Sequence, residues 1–230
     1  MSDPIRHNFE DREQLMQAAA DHIAQALSEG IERRGVALLA VSGGSTPKTL
    51  FPKLAKADID WAAVRICLVD ERWVDPSDDD SNERLVRELL LQDKAAVATF
   101  VPMKNAASTP GEGVTSRHAD YEALPWPADV MQLGMGEDAH TASLFPGADE
   151  LQHGLTTPRR ILAVTPPIAP HRRMSLSLAS ILDTRQIMLV AAGESKLPVL
   201  DEALAGDDVR AMPIRGALKA TAPVHIFYAP

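Results

Sequence analysis

The sequence has a single cysteine, few aromatic residues and no long apolar run, and its basic side chains are outnumbered by acidic ones. The lone Cys67 cannot form an internal disulfide, and its apolar surroundings in residues 64–69 predict a small buried hydrophobic side chain. No stretch approaches the roughly 20 apolar residues that a transmembrane helix requires, and residues 1–10 lack the apolar segment of a signal peptide. We therefore expect a cytoplasmic protein without membrane partners.

The charge balance excludes a second class of partner. With 23 basic against 32 acidic residues, the formal net charge is −9, which argues against general binding to nucleic acid. An anionic ligand would instead need a local basic pocket. The acidic run 75–80 has no glycine where a calcium-binding EF-hand loop needs its sharp turn, so we interpret it as a solvated loop. We expect neither a metal nor an organic cofactor.

The length of 230 residues and the hydrophobic content of 45% suit one large α/β domain. The proline-rich segments 124–127 and 165–170 are short enough to be loops, and we find no internal repeat or low-complexity tract. The sequence therefore predicts a single domain over residues 1–230.

Apolar spacing predicts an alternation of strands and helices. Helical periodicity covers residues 12–34, and Thr46 with Pro47 is typical of a helix start, as is Asp80 followed by Glu83. Short apolar runs predict strands at 36–41, 64–69, 100–103, 130–133, 161–164, 187–191 and 224–228. Further helices are predicted near 113–124, 177–182 and 197–204. The alternation favours an α/β fold in which helices cover both faces of a mainly parallel sheet.

In an open parallel sheet, ligands bind in the loops at the carboxyl ends of the strands. The first such loop offers backbone N–H groups and hydroxyls at a helix start, which suits a phosphate, although a plain tight turn is an equal alternative. Its residues are Ser42, Gly43, Gly44, Ser45 and Thr46. The second loop carries Asp70 and Arg72, and there a guanidinium could hold phosphate or simply pair with its acidic neighbours.

The third loop, residues 134–146, is rich in glycine and contains the best catalytic candidate. Asp138 stands two residues before His140, so it can orient the imidazole and leave the other ring nitrogen free to act as a base. The remaining histidines lack such a loop and are interpreted as surface or satisfied interior residues. In the fourth loop, Lys196 begins a predicted helix and could bind phosphate together with Arg173, although a surface lysine is the plain alternative.

Together these motifs resemble those of the bacterial 6-phosphogluconolactonases, which are relatives of the glucosamine-6-phosphate deaminases. The resemblance covers nearly the whole chain. It rests on the blocks 41–47, 70–74 with 81–82, 134–147, 173–176 and 193–196. It implies a Rossmann-like three-layer α/β/α sandwich. The implied reaction is hydrolysis of 6-phospho-D-glucono-1,5-lactone to 6-phospho-D-gluconate in the pentose phosphate pathway, by a monomer or weak homodimer.

The resemblance also implies residue roles. The loop 42–46, Arg173 and Lys196 would hold the phosphate, with Arg72 close to phosphate or sugar. His140, oriented by Asp138, would activate water. Asp70 would either support this group or order the loop of Arg72.

Two alternatives differ at identifiable positions. Deaminases typically carry an aromatic residue at position 72 and a glutamate at position 145, where this chain has Arg72 and Phe145. A sugar-phosphate sensor would bind without turnover and would lose the base, whereas Asp138 and His140 are both present here. The related enzymes usually have glycine at the position of Ala139. If this position requires a left-handed backbone, alanine would cost on the order of 1 kcal/mol there relative to glycine.

Overall fold

Ten strands and eight α-helices make up the computed structural model, which describes residues 3–230. The strands are β1 (Ile5–Asn8), β2 (Ala37–Val41), β3 (Val64–Leu68), β4 (Asp70–Arg72), β5 (Thr99–Val101), β6 (Val130–Leu133), β7 (Ile161–Val164), β8 (Arg173–Leu176), β9 (Ile187–Ala192) and β10 (Val224–Ala229). The helices are α1 (Arg12–Arg34), α2 (Pro47–Leu54), α3 (Asn82–Leu89), α4 (Pro110–Glu122), α5 (Leu151–Thr156), α6 (Leu178–Leu182), α7 (Lys196–Ala205) and α8 (Ile214–Leu218).

Seven strands form one sheet in the order β1-β10-β9-β6-β2-β3-β5, and every neighbouring pair in it runs parallel. Its central strands are buried and, apart from Gln132 in β6, apolar, as expected for a parallel sheet covered by helices. Helix α1 packs across β2, β6 and β10, and α7 packs on β9. The prediction of a mainly parallel, Rossmann-like α/β fold is confirmed. None of the helices within residues 3–230 has the length and apolarity needed to span a membrane.

A second, smaller sheet was not predicted. It has the order β4-β8-β7, and both of its strand pairs are antiparallel. The prediction that residues 161–164 belong to the parallel sheet is therefore wrong. Strands β1, β4 and β8 escape prediction because they have only three or four residues and carry polar side chains, so they show no apolar run.

The ends of two helices also differ from prediction. Helix α3 is capped by Ser81, whose hydroxyl accepts a hydrogen bond from the Arg84 N–H, and not by Asp80. Thr46 precedes α2, but its backbone is already helical and its side chain makes no capping hydrogen bond. The long helix α1 has the predicted bounds, with Asp11 as its N-cap and Gly35 in the left-handed conformation (φ +71°) at its end.

Three histidines meet where α1 packs against the edge of the main sheet. His7 Nε2 lies 3.1 Å from His225 Nδ1, and the His22 ring centroid lies 4.6 Å from that of His225. Burial, followed by the nearby His22, lowers the pKa of His7. The same causes, with His7 added, lower the pKa of His225 to about 4. His7 and His225 therefore resist protonation in the folded state.

We expect the histidine cluster to make folding stability fall with acidification. Between the ordinary histidine pKa of 6.5 and about 4, the unfolded chain binds a proton at position 225 that the folded chain does not bind. The contribution of position 225 to the free energy of unfolding should therefore decrease as the pH falls from 7 to 5. In urea titrations, His225→Gln should remove this contribution, so the variant should lose less stability on acidification than the wild type.

The exposed His153 on α5 provides the matched control. His153→Gln should keep the wild-type pH dependence. A wild-type slope in His225→Gln would show that the cluster does not contribute.

Candidate active site

A pocket of about 280 Å³ lies at the carboxyl ends of the central parallel strands. All the predicted site residues line it except Asp138, which reaches it through a hydrogen bond to His140. The predicted residues on its wall are Ser42, Gly43, Gly44, Ser45, Thr46, Asp70, Arg72, His140, Arg173 and Lys196. The structure thus brings together four loops that are far apart in sequence. Across residues 3–230, no three His, Cys, Asp or Glu side chains are grouped so that they could hold a metal ion.

The glycine loop after β2 is held tightly at its start. The N–H and the hydroxyl of Ser42 donate to Gln132 Oε1, at 3.0 and 3.3 Å, so this N–H is not available to a ligand. A Cβ on Gly43 would overlap the side-chain amide of Asn82. Gly44 has a φ of +100°, which favours glycine. The later part of the loop, with Ser45 and Thr46, leads into α2.

The small antiparallel sheet places two arginines side by side. In the pairing of β4 with β8, Arg72 stands opposite Arg173, and both line the pocket. Arg72 Nη1 donates to the Asp80 carbonyl at 2.6 Å, and Arg173 Nη1 lies 3.9 Å from Asp70 Oδ2. Burial lowers the pKa of Arg173, and the charge of Asp70 opposes that shift. The result is a concentrated positive charge on one wall of the pocket.

Asp70 links this wall to the histidine loop. Its Oδ2 accepts a hydrogen bond from Ser143 Oγ at 2.6 Å, and its Oδ1 accepts one from Asn82 Nδ2 at 3.3 Å. The Ser143 N–H in turn donates to Ser175 Oγ at 3.0 Å. The sequence alone does not reveal Asn82, Ser143 and Ser175 as groups that support the site, because isolated small polar residues carry no periodic signal.

Glu71, beside Asp70, faces away from the pocket. It is fully buried, and its carboxylate accepts hydrogen bonds from the N–H groups of Arg72, Asn82 and Glu83 at 2.7 to 2.8 Å. Burial raises the pKa of Glu71 to about 7, although these three N–H donors act to lower it. Glu71 therefore joins β4 to the start of α3 and is placed for a structural role.

The histidine loop orients one imidazole toward the pocket. His140 Nδ1 lies 2.5 Å from Asp138 Oδ1, and the His140 backbone N–H donates to the same oxygen at 3.1 Å. Burial acts to raise the pKa of Asp138, but the hydrogen bonds and charge of His140 lower it overall. The Phe145 ring centroid lies 4.3 Å from that of His140, so an apolar ring supports the imidazole. Gly136 packs so closely on this ring that a Cβ there would overlap it.

Lys196 reaches the pocket from the fourth loop. It is the first residue of α7, directly after β9 and a turn in which Gly193 has a φ of +110°. Its Nζ donates to the Met135 carbonyl at 3.0 Å, which ties the ammonium to the backbone of the histidine loop. Because an ammonium carries three donors, two remain for a ligand.

The comparisons with known proteins agree with this geometry. The family model described as glucosamine-6-phosphate isomerases/6-phosphogluconolactonase matches residues 10–226. The chain belongs to this family. It is 42% identical to a 6-phosphogluconolactonase of Rhizobium meliloti, covering 97% of this chain and 98% of that protein. The 6-phosphogluconolactonase of Mesorhizobium japonicum is 44% identical over 96% of this chain and 94% of its own length. A crystal structure of a 6-phosphogluconolactonase from Shewanella baltica superposes with a TM-score of 0.98 at 46% identity, covering 100% and 99% of the two chains.

Ala139 is one of four non-glycine residues with a positive φ in the described part of this glucosamine-6-phosphate isomerase/6-phosphogluconolactonase chain. Ala139, between Asp138 and His140, is fully buried with a φ of +60°, in the left-handed region. Its carbonyl accepts a hydrogen bond from the Ile214 N–H at 3.1 Å, so the conformation is fixed from outside the loop. The sequence-based concern that alanine is strained at this position therefore applies.

We expect Ala139→Gly to raise the free energy of unfolding. The left-handed conformation costs a non-glycine residue about 1–2 kcal/mol, whereas glycine loses about 0.5–1 kcal/mol in chain entropy. The net gain should be up to about 1 kcal/mol, measured by urea denaturation. Ala148→Gly, at a buried position of negative φ nearby, is the control and should destabilise the protein. Equal destabilisation by both changes would contradict the strain argument.

Proposed function

We propose that this chain hydrolyses 6-phospho-D-glucono-1,5-lactone to 6-phospho-D-gluconate in the pentose phosphate pathway, without a metal or organic cofactor. The observation that carries the proposal is one pocket with a cationic wall and a carboxylate-oriented imidazole. The names of the relatives with more than 40% identity over nearly the full chain support the same reaction.

The cationic wall suits the phosphate of the substrate. In our proposal Arg173 and Lys196 bind phosphate oxygens together with the loop 42–46, and Arg72 contacts phosphate or sugar. Guanidinium groups can grip phosphate with two parallel hydrogen bonds, and Lys196 supplies a compact charge. Holding the phosphate fixes the distance between the far end of the substrate and His140, so binding energy is used to orient the ester.

His140 acts as the general base in this proposal. With Nδ1–H donated to Asp138, the neutral ring presents Nε2 as a proton acceptor toward the pocket. His140 takes a proton from water as the water oxygen bonds to the lactone carbonyl carbon. When the bond between that carbon and the ring oxygen breaks, the imidazolium returns the proton to the ring oxygen. Asp138 stabilises the imidazolium between these two steps.

The surroundings of His140 disfavour the deaminase alternative. The ring beside it belongs to Phe145, at the position where the sequence analysis expects a glutamate in deaminases. Among the described residues, Asp70 is the only carboxylate on the pocket wall, and it is engaged by Ser143 and Asn82. A proton relay for ring opening of an amino sugar lacks its second carboxylate here, whereas lactone hydrolysis needs one base.

We further propose that residues 1–230 act as one domain in the cytoplasm, as a monomer or weak homodimer without nucleic-acid or membrane partners. One continuous hydrophobic core from β2 to β10 supports the single domain. The net charge of −9 supports the absence of nucleic-acid and membrane partners, because binding to either polyanion needs an excess of basic side chains.

The proposed function predicts activity in a lactonase assay and no activity in a parallel deaminase assay. The purified protein should accelerate lactone opening above the enzyme-free rate at the same pH and release no ammonia from glucosamine 6-phosphate. The first reaction is followed by coupling 6-phosphogluconate to its dehydrogenase, and the second by coupled ammonia detection. Ammonia release at a rate comparable to hydrolysis would favour the deaminase, and tight binding of 6-phosphogluconate without any turnover would favour a sensor.

Replacement of His140 should separate catalysis from binding. His140→Ala removes the base and should lower the corrected kcat by about 10²–10⁴-fold, the usual contribution of general-base catalysis. Affinity for 6-phosphogluconate should stay within a few-fold, because the phosphate contacts remain. Both quantities can be measured by the coupled assay and by calorimetric titration.

His153→Ala, on the exposed face of α5, controls for loss of a histidine outside the pocket and should retain full turnover. If the corrected turnover of His140→Ala stays within about threefold of wild type, His140 is structural. The base would then be sought at Asp70 or Asp138.

A further inference from the structure

Gln132 is a buried polar residue in an otherwise apolar strand. It is the third residue of β6, which lies between β9 and β2 in the sheet. Its exposure is 1%, yet it lines the wall of the pocket. Its neighbours in the strand are apolar, so the strand pattern alone gives no reason for an amide here.

The contacts of Gln132 fix the orientation of its amide. The Ser42 N–H lies 3.0 Å from one atom of the amide, and a backbone N–H can only donate, so that atom is the oxygen Oε1. The Ser42 hydroxyl donates to the same oxygen at 3.3 Å. Nε2 therefore points away from Ser42, and its two N–H donors are separate from the contact that holds the glycine loop.

Within residues 3–230, Nε2 of Gln132 donates to no protein acceptor. This atom is also not completely buried. Gln132 is buried except where it lines the pocket, so the accessible side of Nε2 faces the cavity. A buried amide donor is costly unless a partner satisfies it, so an oxygen-bearing ligand would gain from this position.

The groups assigned to the phosphate lie on either side of Gln132. The loop 42–46 follows β2, and Lys196 follows β9, and these are the two strands adjacent to β6. We propose that Gln132 binds the substrate, donating from Nε2 to an oxygen of its phosphate. This inference rests on the proposed function. The contact adds a directional neutral donor beside the cations Arg173 and Lys196.

Two variants separate this direct contact from an indirect role through Ser42. Gln132→Leu removes both the donor and the acceptor of the amide. Gln132→Glu keeps an acceptor for the Ser42 N–H and hydroxyl but replaces the N–H₂ donor with a second oxygen, which is ionised near pH 8. Because this carboxylate can weaken binding by its charge alone, a weaker affinity counts as evidence for a contact only if the side-chain N–H₂ signals of wild-type Gln132 also shift when phosphate is added.

The test is calorimetric or NMR titration of the folded proteins near pH 8 with inorganic phosphate and with 6-phosphogluconate. Loss of a hydrogen bond to a charged acceptor corresponds to about a tenfold or greater rise in Kd. We expect Gln132→Leu to show about this rise for both ligands. Gln132→Glu should show a larger one, because its carboxylate repels the phosphate.

Exposed Gln152 on α5 supplies matched controls outside the pocket, Gln152→Leu and Gln152→Glu, which should keep wild-type Kd values. In the wild type, the side-chain N–H₂ signals of Gln132, identified by their absence from the spectrum of Gln132→Leu, should shift when phosphate is added. This readout does not depend on the folding of the glutamate variant.

Three results would overturn the inference. Wild-type Kd values in Gln132→Glu would assign Gln132 to loop positioning. A weaker 6-phosphogluconate affinity with unchanged phosphate affinity would place the contact on the sugar. Unchanged affinities in both variants would show no ligand contact at all. Failure of the wild type itself to bind either ligand would instead contradict the proposed function, so the two failures are distinguishable.

Discussion

The antiparallel pairing of β4 with β8 determines the composition of the pocket. The parallel sheet alone brings the loops after β2, β6 and β9 to one edge, but Arg173 lies at the start of a strand and outside those loops. Pairing in register places it opposite Arg72. The same pairing sets Asp70 opposite Ser175, whose hydroxyl oxygen accepts the Ser143 N–H of the histidine loop. A shift of this register would separate the two arginines and loosen the histidine loop together.

Two adjacent guanidinium groups repel each other, and the fold offsets this repulsion with a carboxylate and a backbone carbonyl placed beside them. Asp70 lies near Arg173, and the backbone carbonyl of Asp80 accepts from Arg72. These contacts leave the pocket positive in a chain whose net charge is −9. Such a separation of charge favours an incoming dianion through the field at the pocket mouth, while the acidic remainder of the surface repels other polyanions.

Much of the fold and of the candidate site could be predicted from the sequence, because the strongest signals are periodic. Helix α1 and strand β6 have the predicted bounds, since each is a clear apolar pattern of ordinary length. The convergence of four loops follows from the geometry of parallel strands. The small sheet could not be predicted, because its strand β4 is a charged tripeptide whose pairing depends on a partner about 100 residues away. Gln132 could not be assigned to the site either. The sequence does not show which way the amide of a single polar residue in a buried strand points until the neighbouring loop is placed.

The close packing of Gly43 on Asn82 has a consequence for how the family's chains can vary. The side chain of Asn82 occupies the space that any Cβ at position 43 would need, and its amide also donates to the Asp70 carbonyl at 2.8 Å. The two positions are therefore epistatic: a side chain at position 43 requires a smaller residue at position 82, and that residue would no longer hold β4. Sequence change in the glycine loop is thus restricted by a helix start that is separated from it by some 40 residues of chain.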